Sequence, residues 1–222
     1  DFINNVTHEF KTPIATIAVS TEVLKDPGII HQPERLRNYA GIIEKENVRL
    51  KQQVERVLLM ARLDKEAIGL KKELVDVHQL IQDSIRHYIM AVQDRKGTII
   101  SDLRATQTNM EADRYHLTSV FNNLVDNAIK YCKETPQITI RTVNRDGGCV
   151  VEVVDNGIGI GHEHQRRVFK KFYRVPTGNV HDVKGFGLGL SYAKTVVEAH
   201  GGEISLESEL GKGCSFRIYI PG

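Results

Sequence analysis

The stretch Asn122-Asn123-Leu124-Val125-Asp126-Asn127-Ala128-Ile129-Lys130-Tyr131 carries two patterns at once. Its apolar residues recur at helical spacing within a longer run, 114–131, whereas Asn123, Asn127 and Lys130 stand at i, i+4 and i+7. Those three therefore share one polar stripe on an otherwise apolar helix. Neutral amide oxygens beside a lysine suit a phosphate-bound Mg²⁺, which takes a few oxygen ligands and keeps its own waters. Asn residues also cap and pack helices, so the stripe alone leaves both readings open.

Working outward, the neighbouring segments alternate short strands with helices. The pattern predicts strands over 73–77, 98–103 and 109–112, with a helix over 78–94. Residues 137–143 and 149–154 form a hairpin across Asn144–Gly148, which contains the turn pair Asp146-Gly147. A helix over 188–200 and strands over 203–208 and 215–220 complete the region. Strands joined by hairpins, with helices on one face, predict a two-layer α+β sandwich and not an alternating parallel βαβ fold.

Two segments of this region point to a ligand. The predicted strand 150–154 runs directly into Asp155-Asn156-Gly157-Ile158-Gly159. An acid at a strand end followed by glycines allows close backbone approach to a flat ligand, and a carboxylate, an acceptor only, can choose an adenine amino group. A plain Asn-Gly turn is the competing reading. The second segment is Lys184-Gly185-Phe186-Gly187-Leu188-Gly189-Leu190, opening a helix whose free N–H groups suit phosphate. It is neither a Walker A loop nor a G-x-G-x-x-G fingerprint. Between Tyr173 and Lys184 the sequence shows no periodicity, as expected of a lid or a disordered segment. In the basic run Arg166, Arg167, Lys170, Lys171 and Arg174, the last is the candidate phosphate contact and the others read as a solvated face. His162-Glu163-His164 lacks the convergence a zinc site needs, because i and i+2 do not share a helix face.

The front of the chain is different. Residues 1–66 hold 10 basic and 10 acidic side chains and only Gly28 and Gly41, with most glycines lying beyond. Two helices are predicted, about 1–25 and from Pro33 onward, separated by Asp26-Pro27-Gly28. On the second, Leu36, Ala40, Ile43, Asn47, Leu50, Val54, Val57 and Ala61 follow steps of four and three, a heptad seam. A rod of roughly 30 residues is about 45 Å long. One hairpin cannot bury both of its faces, so a dimeric four-helix bundle is expected. Asn47 on the seam either fixes register or occupies a solvated layer. On the first helix, Phe2, Ile3, Val6, Phe10, Ile14, Ile17 and Leu24 supply a buried stripe, and Pro13 should kink the helix. That leaves His8 outward, with Glu9 beside it and Thr12 one turn on.

In this order the motifs are specific. The chain resembles the catalytic core of a two-component sensor histidine kinase: His8–Pro13 is similar to the H box, Asn123–Tyr131 to the N box, and Asp155–Gly159 to the first glycine box. Phe169–Arg174 is similar to the F box, Gly185–Gly189 to the second glycine box, and 211–216 to the third. The resemblance implies two domains: an all-α dimerisation and histidine-phosphotransfer hairpin over 1–66, and a Bergerat-type ATP-binding α+β sandwich over 67–222. It implies ATP and Mg²⁺ as cofactors, with Mg²⁺ on Asn127 assisted by Asn123, phosphate contacts from Lys130, and the adenine amino group on Asp155. Tyr131 would flank the adenine or ribose, and Gly157, Gly159, Arg174, Gly185, Gly187, Leu188 and Gly189 would complete the nucleotide site. His8 would be phosphorylated, with Glu9 fixing its tautomer, and the phosphoryl group would pass to an aspartate of a response regulator. Glu9 and Thr12 together would imply phosphatase activity toward that regulator. Asp126 and Cys132 depart from the pattern and are expected to touch no contact of the site.

Composition agrees with a signalling core. The 222 residues are 41% hydrophobic and 26% charged, with net charge +2, too balanced for a nucleic-acid binder. Cys132, Cys149 and Cys214 are too few and scattered for a disulfide framework and are expected to be reduced, as in a cytoplasmic protein. No apolar run reaches the ~18 residues of a membrane span. The start at Asp1 suggests a piece of a longer protein, and the resemblance implies a sensor and a membrane segment upstream. Two rivals are a chaperone- or topoisomerase-type ATPase, in which a Glu base replaces Asn123, and a dimeric scaffold whose ATP site has decayed.

Overall fold

The computed structural model describes residues 2–63, 69–176 and 187–222, for residues 2–6, 8, 9, 52, 53 and 55–63 as backbone alone. The chain clusters into two compact units, one of N-terminal helices and one of α/β structure.

The helical unit is a hairpin of α1 (Phe2–Leu24) and α2 (Pro33–Leu63). The breaker cluster between them is more ordered than a loop, because Asp26 caps a 3-10 turn over Pro27–His31 through a 2.8 Å bond from the Gly28 N–H. Ile29, 5% exposed, pins that turn. α1 runs through Pro13 in a single helical span. Ile14, expected in the buried stripe, is 55% exposed; Leu36 and Val54 of the heptad seam are exposed as well, and so is Asn47. Within one chain the hairpin therefore leaves much of its apolar seam in water.

The second unit has two layers. β1 (Glu73–Asp76) and β3 (Asn109–Ala112) form a small antiparallel ribbon. The main sheet contains β2 (Thr98–Leu103), β4 (Gln137–Arg145), β5 (Gly148–Asp155), β6 (Glu203–Glu209) and β7 (Gly213–Ile220), in the order β2-β4-β5-β7-β6. Neighbours are antiparallel except β2 and β4, which run parallel because the chain crosses back through β3 and a helix before returning. The hairpin turn is Asp146-Gly147 with φ of 48° and 76°, the two positive values a tight primed turn requires.

Helices α3 (Val77–Asp94), α4 (Arg114–Lys130) and α6 (Gly189–Ala199) form the second layer, and a short α5 (His162–Gln165) lies outside it. The core is their shared interior. Leu80, Leu117, Phe121 and Val196 on the helices, with Ile140 and Ile218 on the strands, are each at most 2% exposed. The opposite sheet face carries a charge ladder: Glu152 accepts from Arg217 at 2.9 Å and Arg141 at 3.3 Å, and Arg217 reaches Glu207 at 2.8 Å. Alternation along each strand thus sorts apolar residues inward and ions outward.

Candidate nucleotide site

α4 presents the polar stripe because its other face is fully committed to the core, where Leu117, Val120, Phe121, Leu124, Val125 and Ala128 are buried. Asn123 and Asn127 are half-buried, and among the described residues neither amide has a hydrogen-bond partner. Polar groups in that condition are costly unless a ligand or water completes them, so the donor set fits a phosphate-bound cation. Three carbonyls at the end of α4 are gathered by Arg95, which donates to Ile129, Cys132 and Glu134 at 2.5, 2.7 and 3.0 Å. A cation on helix-terminal carbonyls favours the helix macrodipole. Sequence reasoning overlooked Arg95, and no local spacing could have revealed it.

Lys130 is not free: its ammonium pairs with Asp126 at 2.5 Å, one turn back. The expectation that Asp126 touches no contact of the site is therefore corrected, since i and i+4 place the two on one face. Cys132 likewise touches the loop after β5, its Sγ lying 3.5 Å from the Asn156 amide oxygen.

Asp155 ends β5 and is 8% exposed. One carboxylate oxygen, Oδ1, accepts from the Gly157 N–H at 2.8 Å and the Cys214 N–H at 3.2 Å. Burial pushes the carboxyl above its ordinary range, and these two amides pull it back only in part. Gly157 sits tightly, since a Cβ there would lie 2.8 Å from Asp155 Oδ1 and 3.0 Å from the Tyr131 carbonyl. The same carbonyl accepts the Ile158 N–H at 3.0 Å, so the end of α4 and the acidic loop are stitched together. Gly159 serves another purpose: it faces the Glu209 carbonyl, letting the β6–β7 turn close over the loop, where Ile158 accepts the Gly211 N–H at 2.7 Å.

The remaining residues close a ring. α6 starts at Gly189 without any side-chain cap, leaving its first N–H groups available. Gly189 lies against Asn123, 3.3 Å from a Cβ built there to the amide oxygen. Leu188, 4% exposed, is a core anchor and not a ligand-facing side chain. Gly187 packs on the Tyr173 carbonyl and the Arg174 side chain, and its carbonyl accepts the Phe172 N–H at 3.0 Å, tying residues 172–174 to the start of α6. Arg174 in turn lies near enough to lower the Tyr131 phenol electrostatically, although burial prevails and pushes it up. Tyr173 is fixed by His164 Nδ1 at 2.6 Å and by the Arg167 guanidinium 4.3 Å over its ring. Gly185 lies outside the described residues, and so do the side chains of His8 and Glu9, whose backbone belongs to α1. Thr12, also on α1, is half-buried, and its carbonyl accepts the Thr16 hydroxyl at 3.0 Å.

The structure thus brings Asn123 against Gly189, Arg174 against Gly187, and Gly157 between Tyr131 and Asp155, with Arg174 within electrostatic reach of Tyr131, in a site built of amides, backbone N–H groups and one buried acid. Residues 112–222 match the family model of the histidine kinase-, DNA gyrase B- and HSP90-like ATPases, and residues 1–66 match the His Kinase A phospho-acceptor domain. The chain belongs to the histidine kinases. Sensor protein RprX of Bacteroides fragilis is 46% identical over 223 residues, covering 100% of this chain and 43% of that protein. The chain thus spans less than half the length of that curated relative. Histidine kinase ThkA, solved with the response regulator protein TrrA, superposes with TM-score 0.69 at 25% identity, covering 99% of this chain and 60% of ThkA. ShkA, solved in complex with AMPPNP, gives 0.72 at 24% identity over 85% of this chain and 39% of its own, and supports the fold. No helix of this histidine kinase core, among the described residues, is long and apolar enough to cross a membrane.

Proposed function

We propose that the chain transfers the γ-phosphoryl group of ATP to His8 and passes it to an aspartate of a response regulator. The observation that carries this reading is the pair of Asn123 and Asn127 amides, without a hydrogen-bond partner among the described residues, with Asn123 beside the uncapped start of α6, in a site that ends on Asp155. Mg²⁺ fits Asn127, assisted by Asn123, and would supply charge neutralisation on the phosphates. Asp155, with Oδ1 committed to two backbone amides, offers its second oxygen to the adenine amino group. Lys130, with one donor on Asp126, keeps two N–H donors for phosphate. Tyr131 flanks the base or ribose, while Arg174 and the N–H groups from Gly185 to Gly189 meet the triphosphate.

The reading divides the work between residues 1–66 and 67–222. In the first, a ring nitrogen of His8 attacks the γ-phosphorus, the bond to the bridging oxygen breaks, and ADP leaves with that electron pair. Glu9 holds the proton on the other ring nitrogen and stabilises the imidazolium as it forms. The exposed seam of Leu36 and Val54, with Ile14 on α1, supports a homodimer in which a second hairpin covers it. Thr12, one turn from His8, would position water to hydrolyse the partner's phosphoaspartate.

Titrating the chain with AMPPNP should give saturable binding that needs magnesium, and Asn127→Ala should lose the magnesium dependence. Absence of binding by the parent chain would refute the reading and leave a scaffold. Thr12→Ala should abolish dephosphorylation of the regulator while sparing autophosphorylation, and unchanged dephosphorylation would remove the phosphatase role.

A further inference from the structure

Away from the nucleotide residues, α4 and α6 are joined by buried polar groups that the proposed chemistry does not use. His200 follows α6 and is 4% exposed; Asp113 precedes α4 and is 6% exposed. The Asp113 N–H donates to His200 Nε2 at 2.9 Å, and His200 Nδ1 lies 2.7 Å from the Val196 carbonyl. A backbone N–H only donates and a carbonyl only accepts, so the ring is held as the neutral Nδ1–H tautomer. The Asp113 carboxylate is equally committed: Oδ1 accepts the His116 N–H at 3.0 Å, and Oδ2 the Lys71 N–H at 2.8 Å. One helical turn further along, His116 Nδ1 meets the buried Tyr192 hydroxyl at 2.8 Å. Further along the same pair of helices, Gly189 meets Asn123. The partners Asp113–His200, His116–Tyr192 and Asn123–Gly189 rise on one helix as they fall on the other, so the two run antiparallel and sliding one displaces all three.

We propose that His200 is a positioning residue for nucleotide binding, whose neutral imidazole locks the end of α6 onto the N-cap of α4 and so fixes how Gly189 meets Asn123. The proposal rests on the ATP-binding reading above. Protonating His200 would turn Nε2 into a donor facing the Asp113 N–H donor, and the lock would open. The groups facing the ring are Lys72 from the entering segment and Asp113 and His116 from the start of α4; burial, Lys72 and His116 disfavour its charged form, against Asp113 and the Val196 carbonyl. The imidazole is thereby held below its ordinary value, and the lock is intact at neutral pH and weakens under acid.

The test is calorimetric titration of the whole 222-residue chain with AMPPNP and magnesium, from pH 8 down to about 5.5, on the parent, His200→Gln and His200→Ala. Gln can accept the Asp113 amide through Oε1, and it does not titrate. At pH 7.5 His200→Ala should bind about fivefold more weakly, with His200→Gln within about twofold of the parent. On acidification the parent should lose more affinity than His200→Gln, a difference that a merely structural histidine would not produce. Equal binding by a folded His200→Ala, or superimposable pH profiles for the parent and His200→Gln, would overturn the proposal; the second comparison decides even where His200→Ala does not fold. Failure of the parent itself to bind would instead count against the ATP reading.

Discussion

Gly213→Ala is the most demanding perturbation of the acidic loop, because its cost can be built from the coordinates. Gly213 has φ of +97°, and a Cβ there would lie 1.9 Å from the Asp155 carbonyl oxygen and 3.0 Å from Asn156 Cα. Both obstacles are backbone, so no side-chain rotation relieves them. Strain at positive φ costs about 1–2 kcal/mol for an L residue. Parting β7 from β5 at this point also removes the Cys214 N–H bond to Asp155, worth about 1 kcal/mol net. The sum is about 2–3 kcal/mol, and for a domain of this size the melting temperature should fall by about 4–12 °C. Asp155 moves with its strand end, so AMPPNP affinity should fall at least about tenfold. Gly147→Ala is the internal control: φ is +76° in the hairpin turn, but nothing lies within 4 Å of the added methyl. It should show the strain alone, with nucleotide affinity unchanged. The assay is scanning calorimetry of the transition that AMPPNP shifts, followed by titration of both variants. Gly213→Ala that melts and binds like Gly147→Ala would refute the claim that this approach sets the position of Asp155.

Further outcomes follow from the acidic loop and the buried thiols. Asp155→Asn should weaken AMPPNP at least about tenfold, because the amide oxygen must serve Gly157 and Cys214 and leaves NH₂ facing the adenine amino donor; parent-like affinity in titration would contradict this. Since burial raises the Asp155 carboxyl, adenine binding should be lost, as pH falls, sooner than an exposed carboxylate would cause. The stability sign is opposite: the folded state holds this proton more tightly than the unfolded chain, so the group's contribution declines as pH rises through the raised value, and Asp155→Asn should flatten that part of a stability–pH curve. Burial pushes the Cys149 thiol up to about 11 and Cys214 up to about 12, so neither should react with a thiol reagent at pH 8 until the chain is denatured.

The legibility of the chain follows the range of its interactions. The polar stripe of α4 and the Asp-Gly hairpin were readable because a helix face and a two-residue turn are set by neighbours in sequence. Strands β2 and β3 were also placed to the residue, yet the parallel pairing of β2 with β4 was not, since register across a crossover depends on where the intervening helix packs. Within the site, Asp155 was visible at a strand end, but its two amide donors were not, because Cys214 arrives from a strand 59 residues away. Asp126 is the local exception: its i, i+4 spacing from Lys130 places the two on one helix face, and they pair. The seam of α2 was legible as periodicity, but which apolar residues one hairpin covers was not, and Ile14 on α1 is exposed like Leu36 and Val54 on α2.

The central claim is that His8 receives the phosphoryl group, and the direct measurement is labelling with γ-labelled ATP and magnesium. The parent chain should acquire an acid-labile, base-stable label, whereas His8→Gln should acquire none while binding AMPPNP as the parent does. Label of that kind retained on His8→Gln would contradict the account.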